Sequence, residues 1–313
     1  MKKVLGMLTL VVIVILAITK LGFINKSNEK RKERKTFGAT FMSLNNPYFV
    51  ELGLGLKGVI EENGDKLIMR DPQLDVKKQI SIIEEMINQK VDGIFLNPAD
   101  WIEIKPALEK ARKANIPVFV LDTSVYNKDL VVTTVVSDNE NAGILCARHL
   151  TEVLKITEGN IVILEHPTAK SAIERTDSFI NEIKKFPNLK IIAKNSSDGQ
   201  VEISMKIMED ILDSHKNEKI SAIMALNDPT AFGVIAALER KGRMKEVKAI
   251  YGVDGSSDAY KLIEAGKMTA TAAQYPKEIG KIAAESAYKF ISGEKISKEI
   301  KVPVKLITLE DIK

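Results

Sequence analysis

Ten short apolar runs alternate with segments of helical spacing along most of the chain, and that alternation restricts it to a layered α/β architecture. The runs are Phe37–Met42, Lys66–Met69, Gly93–Leu96, Val118–Leu121, Val131–Val136, Asn160–Leu164, Lys190–Ala193, Ala222–Ala225, Ala249–Val253 and Thr269–Ala273. They are too short for helices and read as strands buried on both faces, the pattern of a parallel sheet. Between them, Val76, Ile80, Ile83 and Ile87 recur three or four apart, as do Ile203, Ile207, Ile211 and Ile279, Ala283, Ala287. Each set places one apolar stripe along a helix. Repeated βαβ units give parallel sheets with helices on both sides. At 313 residues the chain is longer than one hydrophobic core usually serves, so two domains are expected.

Ligands of such folds sit beyond the carboxyl ends of the strands, and the polar punctuation falls there. Asn97-Pro98-Ala99-Asp100 follows one run, Asp122-Thr123 another and Asn227-Asp228-Pro229 a third. Asp254-Gly255 and Gln274-Tyr275-Pro276 follow two more. Any one of these is explained by turns and helix caps, which favour Asn, Asp, Pro and Gly. Five together, each at a strand end, are better explained by shared duty in one cleft.

The first 35 residues have a different character. Lys2 and Lys3 precede an apolar segment from Val4 to Ile18, followed by Lys20 and a short apolar coda from Leu21 to Ile24. The segment is either a secretory signal or an uncleaved anchor long enough to span a bilayer. No cysteine ends the apolar core, and Ala17-Ile18-Thr19 is a poor cleavage site, so residues 1–24 are read as a membrane anchor. Residues 25–35 form a charged linker whose Lys26, Lys30, Arg31, Lys32, Arg34 and Lys35 account for much of the formal charge of +4. Read alone, that basic run on the C-terminal side of the anchor would keep the body inside the cell. Without it the body is about neutral, which argues against nucleic acid as a partner.

Enzyme signatures are absent. His149, His166 and His215 lack metal-ligand spacing, and there is no G-x-S-x-G elbow and no phosphate-binding P-loop. Cys146 is the only cysteine, so neither an intrachain disulfide nor a cysteine metal cluster forms; Ile144-Leu-Cys-Ala147 reads as a buried helix face.

Several segments resemble the ribose-binding-protein group of type I periplasmic binding proteins. They are Leu44-Asn-Asn-Pro-Tyr-Phe49, Phe95-Leu-Asn-Pro-Ala-Asp100, Ile116-Pro-Val118 with Leu121-Asp122, Glu174-Arg175, Asn227-Asp228, Gly252-Val-Asp-Gly255 and Ala273-Gln-Tyr-Pro276. In order and spacing the resemblance covers residues 36–307. It implies two similar Rossmann-like lobes of parallel sheets joined by a three-segment hinge, with crossings near Val136–Asp138, Gln274–Tyr275 and Val304–Leu306. The first lobe would hold 36–137 and 275–305, the second 138–274 and 306–313.

The same resemblance implies a non-enzymatic extracytoplasmic protein, without cofactor, that closes on a monosaccharide. Asn46, Asn97, Asp122, Arg175, Asn227, Asp254 and Gln274 would line the cleft, and Tyr48 and Phe49 would form an apolar platform under the ring. Charged acceptors, a rigid guanidinium fork and amides suit a ring of hydroxyls, each both donor and acceptor. The chain departs from the group's pattern at Met42, Thr123, Gly199 and Val253, losing one cation and most of an aromatic sandwich. A pentose such as xylose is the expected ligand. Trp101 is left with three readings: a replacement stacking face, a partner contact, or local packing. As for partners, an anchored chain without a lipid-attachment cysteine points to a membrane histidine kinase ectodomain, and the alternative is the permease of an ABC importer. A DNA-binding repressor of related fold would need a helix-turn-helix where this chain has its apolar segment and spacer.

Overall fold

The computed structural model describes residues 34–312. The anchor reading of residues 1–24, and all of the charged linker except Arg34 and Lys35, lie outside them. Among the described residues no helix is long and apolar enough to cross a membrane.

The first sheet is built from β1 (Thr36–Thr40), β2 (Lys66–Arg70), β3 (Gly93–Leu96), β4 (Val118–Leu121) and β5 (Thr133–Ser137). The second takes β6 (Glu158–Glu165), β7 (Asn188–Ser196), β8 (Ile220–Ala225), β9 (Ala249–Asp254) and β10 (Ala270–Ala273). Their orders are β2-β1-β3-β4-β5 and β7-β6-β8-β9-β10, the same topology twice. Each has its reversal of strand order beside the first strand, β1 or β6, and a crevice for ligand opens there. Two strands the apolar pattern did not reveal complete the sheets: β11 (Glu299–Val302) beside β5, and β12 (Lys305–Thr308) beside β10. Both are edge strands with mostly exposed or half-buried residues, so they carry no continuous apolar run. β12 runs antiparallel to β10, so the second sheet is not wholly parallel.

Helices cover both faces of each sheet. On the first, α1 (Pro47–Glu62) packs one face and α2 (Val76–Asn88) and α3 (Lys105–Lys113) the other. On the second, α4 (Asn139–Arg148) and α5 (Lys170–Ile183) lie opposite α6 (Val201–Ser214), α7 (Asp228–Arg240) and α8 (Ser257–Glu264). Cys146 is fully buried among the apolar residues of α4 and α5.

The chain passes between the sheets three times. It leaves after Ser137, returns after Gln274 into α9 (Pro276–Ile291), and leaves again between Val302 and Lys305. The last crossing is at Pro303–Val304. Lys305, assigned by sequence to the first lobe, already pairs with Ala273 in the second sheet. α9 joins α1 on the first sheet, burying Ile279, Ala283, Ala284 and Ala287 against Leu52, Leu56 and Ile60. The helices touch backbone to backbone: a Cβ on Gly55 would lie 2.2 Å from the Lys277 carbonyl oxygen, and one on Gly280 would lie 2.2 Å from that of Leu52. This contact holds the second crossing, and with it Gln274, against the first lobe. Gly55→Val should therefore destabilise the fold by about 1–3 kcal/mol, as overpacking does. The check is a lowered midpoint of thermal unfolding, and Gly58→Ala, where a Cβ meets nothing, should leave that midpoint nearly unchanged.

Candidate functional site

The carboxyl ends of both sheets face one another across a polar cavity of about 40 Å³. A buried water needs roughly 10–15 Å³ on such a measure, so the space as it stands holds about three waters. Asn46, Tyr48, Phe49 and Asp122 enter it from the first lobe; Arg175, Asn227 and Asp254 enter from the second, with Gln274 at the second crossing. Asn97 does not line it.

Each residue is placed by a local cause. Asn46 caps α1, its Oδ1 accepting the Tyr48 N–H at 2.9 Å, and Pro47 follows where a missing N–H costs nothing. That turn directs Tyr48 and Phe49 inward, both 7 % exposed. Phe49 stacks on Phe41 with centroids 6.4 Å apart and so is core and cavity wall together. Asn97, fully buried, accepts the Met42 N–H through Oδ1 and donates from Nδ2 to Asp122 Oδ2 at 3.0 Å. The correction to the sequence reading is that Asn97 stands behind the site and aims Asp122. Asn227 caps α7 by accepting the Thr230 N–H at 3.0 Å, and its Nδ2 donates to the Gly199 carbonyl.

The centre is a network spanning both lobes. Arg175 donates from Nε to Asn139 Oδ1 at 2.8 Å, from one terminal nitrogen to the Leu226 carbonyl at 3.2 Å, and from the other to Gln274 Oε1 at 2.9 Å. A guanidinium has five N–H groups, so donors remain for a ligand. Gln274 Oε1 also accepts the Tyr48 hydroxyl at 3.3 Å, and its Nε2 donates to Asp254 Oδ1 at 2.8 Å. Asp122 Oδ1 is buried and has no hydrogen-bond partner. A buried carboxylate oxygen left unpaired is costly. One that lines a cavity opposite a half-used guanidinium is suited to accept a hydrogen bond from a neutral hydroxyl.

Burial pushes the Asp122 carboxyl up, against the opposing pull of Arg175, the Tyr48 hydroxyl and the Asn97 amide. Asp254 is pushed up further, first by desolvation and then by the neighbouring carboxylate of Asp228; Arg175 and Gln274 oppose it. Asp254 is only partly buried, but it lines the cavity and an adjoining interlobe groove rather than a convex surface. Asp228 is fully buried and accepts the Thr271 hydroxyl at 2.6 Å and the Ser256 N–H at 2.8 Å; burial raises its pKa to about 6. Among the described residues no cluster of His, Cys, Asp and Glu is arranged to hold a metal ion.

Five further polar residues line the cavity that sequence reasoning missed: Ser43, His166, Ser171, Asp198 and Gln200. His166 directly follows β6, the same strand-end position that marked the others, but it was weighed only as a metal ligand. It is 7 % exposed, and its Nδ1 lies 3.5 Å from Asp198 Oδ1. Of the four departures, Met42 and Gly199 face the cavity while Thr123 and Val253 are fully buried and do not. Gly199 has φ +68°, a left-handed conformation, and its Cβ would lie 3.1 Å from Asn227 Nδ2. Both facts disfavour any larger side chain there.

Known proteins share this two-lobed fold. Residues 37–295 match the family described as periplasmic binding protein domain. The ribose import binding protein of Bacillus subtilis is 36 % identical over 284 residues, covering 90 % of each chain. A solute-binding protein of an ABC transporter from Bacillus halodurans, solved with bound myo-inositol, superimposes with a TM-score of 0.83 at 25 % identity, covering 90 % of this chain and 97 % of that one. Another from Actinobacillus succinogenes, solved with bound D-allose, gives 0.79 at 29 % identity over 89 % of this chain and 99 % of that one. The chain belongs to the periplasmic binding protein family, its fold is the two-lobed type I form, and it is not an enzyme.

The raised carboxyl of Asp254 has a signed consequence for the ligand-free protein. A group whose folded pKa is raised stabilises fully below its unfolded value and loses that contribution as pH rises through the folded value. Asp254→Asn should therefore raise the unfolding midpoint of the ligand-free protein at pH 7.5, with the gain shrinking as pH falls toward 4. Thermal scans across that range check the sign.

Proposed function

We propose that this chain is an extracytoplasmic receptor for a single neutral monosaccharide, closing its two lobes on the sugar and delivering it to the permease of an ABC importer. The observation that carries the reading is the unpaired, buried Asp122 Oδ1 facing a cavity that also holds Arg175, Asp254 and Gln274. Hydroxyl groups complete such a set without bringing net charge. In the bound state Asp122 and Asp254 accept sugar hydroxyls, Arg175 donates from its remaining N–H groups, and Tyr48 and Phe49 lie against the apolar face of the ring. Charged hydrogen bonds of this kind contribute about 1.5–3 kcal/mol each, so removing one weakens binding roughly tenfold or more. Asn97 acts through Asp122. The reduced set of polar and ring-stacking groups around the cavity, with Gly199 bare, favours a pentose, xylose included, over a sugar with more groups to satisfy. The relatives support the class: one carries ribose in its name, and others were solved with D-allose or myo-inositol.

A second reading has the closed form engage a membrane histidine kinase ectodomain. It is favoured by the long apolar segment at the N-terminus, which no lipid-attachment cysteine follows. Recovery of membrane partners with and without sugar separates the two: a permease alone supports import, a kinase ectodomain alone supports sensing.

A thermal-shift panel of D-ribose, D-xylose, L-arabinose, D-allose, D-galactose and myo-inositol tests the ligand class. A sugar at 100 times its dissociation constant adds about 2.7 kcal/mol and raises the unfolding midpoint by several degrees. At least one pentose should do so, and silence across the whole panel would contradict the reading.

A further inference from the structure

Along one edge of the cavity, the two lobes touch one another directly at a lip of the cleft. The backbone N–H of Trp101 donates to the backbone carbonyl of Thr168 at 3.0 Å, from the loop after β3 to the loop after β6, a bond independent of the indole. The Lys170 ammonium lies 5.5 Å from the centroid of the Trp101 ring. The Ser171 N–H donates to Thr123 Oγ1 at 2.9 Å, joining the start of α5 to the loop after β4. Neither Trp101 nor Thr123 lines the cavity. Thr123 and Ser171 are buried, and Lys170 is half-buried.

The first-lobe side of this seam is held in position. Asp100 Oδ1 accepts the N–H groups of Ile102 and Glu103 at 2.7 and 2.8 Å, fixing the turn that carries Trp101. The Tyr126 N–H donates to the Trp101 carbonyl at 2.8 Å, and the two rings meet edge to face at 5.7 Å. The loops after β3 and β4 are thereby tied into one unit. Local packing alone accounts for the Tyr126 contact, but it does not account for three contacts made only with the opposite lobe.

We propose that Trp101 and Thr123 are affinity-determining residues that never touch the sugar: with Lys170 and Ser171 they form a latch that exists only when the lobes are closed. The proposal rests on the monosaccharide-receptor reading for its affinity arm, while its conformational arm stands without it. The latch favours the closed state in proportion to its own strength. A ligand that binds only that state gains apparent affinity by the same factor. Losing one hydrogen bond or one cation–π contact of this exposure corresponds to roughly three- to tenfold. Because the three side chains of the latch, Trp101, Thr123 and Lys170, do not line the cavity, and Ser171 contributes only its backbone N–H, loss of the latch lowers affinity for every sugar alike and acts through faster dissociation.

The test compares the full chain with Trp101→Ala, Lys170→Gln, Thr123→Val and the conservative Lys170→Arg. Binding of D-ribose and D-allose is measured at equilibrium and by dissociation rate. The interlobe distance is read by electron–electron double resonance from spin labels at Lys77→Cys and Asn195→Cys, both exposed; Cys146 is fully buried and will not take label. Expected are roughly three- to tenfold weaker binding of both probes, an unchanged D-ribose to D-allose ratio, and a shift of the ligand-free population to longer distances. Lys170→Arg, which keeps a cation over the ring, restores all three. Unchanged distances in all three disrupting variants would overturn the latch, as would a changed ratio between the sugars, which marks a direct cavity role. If neither probe binds the unaltered chain, the receptor reading fails, and the distance measurement alone still decides the latch.

Discussion

One unpaired oxygen, Asp122 Oδ1, organises the site. It is buried at the carboxyl end of β4 and held by Asn97 through its other oxygen, and it makes no hydrogen bond of its own, because the nearby Tyr48 hydroxyl is directed to Gln274 Oε1. Opposite stands Arg175, equally buried, whose three hydrogen bonds all go to neutral acceptors. A direct ion pair between them would satisfy both and leave nothing for a ligand. Their separation keeps a buried acceptor and a buried donor fork facing a shared space, and a hydroxyl that donates to one and accepts from the other completes both.

The backbone supports this at some cost. Asp122 has φ +63° and Asp254 φ +141°, conformations that non-glycine residues seldom adopt and that cost about 1–3 kcal/mol each. Both stand at strand ends where the chain turns into the cleft. Gln274 sits where the chain crosses from the second sheet to the first, and its one amide contacts Tyr48, Arg175 and Asp254. Site and hinge therefore share a residue. Any rotation of one lobe against the other would have to rearrange those bonds. The adjoining groove shares Asn46, Tyr48, Asp254 and Gln274 with the cavity.

Much of this was legible in the sequence because buried parallel strands leave continuous apolar runs. β3 and β4 appear with the bounds their runs gave them, and the strand-end polar clusters lie where the two sheets meet. β11 and β12 left no such run, since edge strands bury little, and the third crossing was accordingly misplaced by about two residues. Within the site, residue type could not separate capping from binding. Asn46 and Asn227 do both structural and cavity duty, while Asn97 lies one layer further back. Thr123 shows the same limit from the other side: a hydroxyl at a strand end can serve a ligand or the opposite lobe, and only the fold places it against Ser171. His166 was overlooked because it was judged by metal spacing rather than by its position after β6.

The central claim is that a sugar hydroxyl is the missing partner of Asp122 Oδ1. A crystal structure of the chain with its bound monosaccharide tests it most directly. The account predicts one sugar ring between the lobes, with a hydroxyl within hydrogen-bonding distance of Asp122 Oδ1 and another of Asp254. A sugar bound elsewhere, or Asp122 Oδ1 turned onto a protein donor while the cleft is occupied, would contradict it.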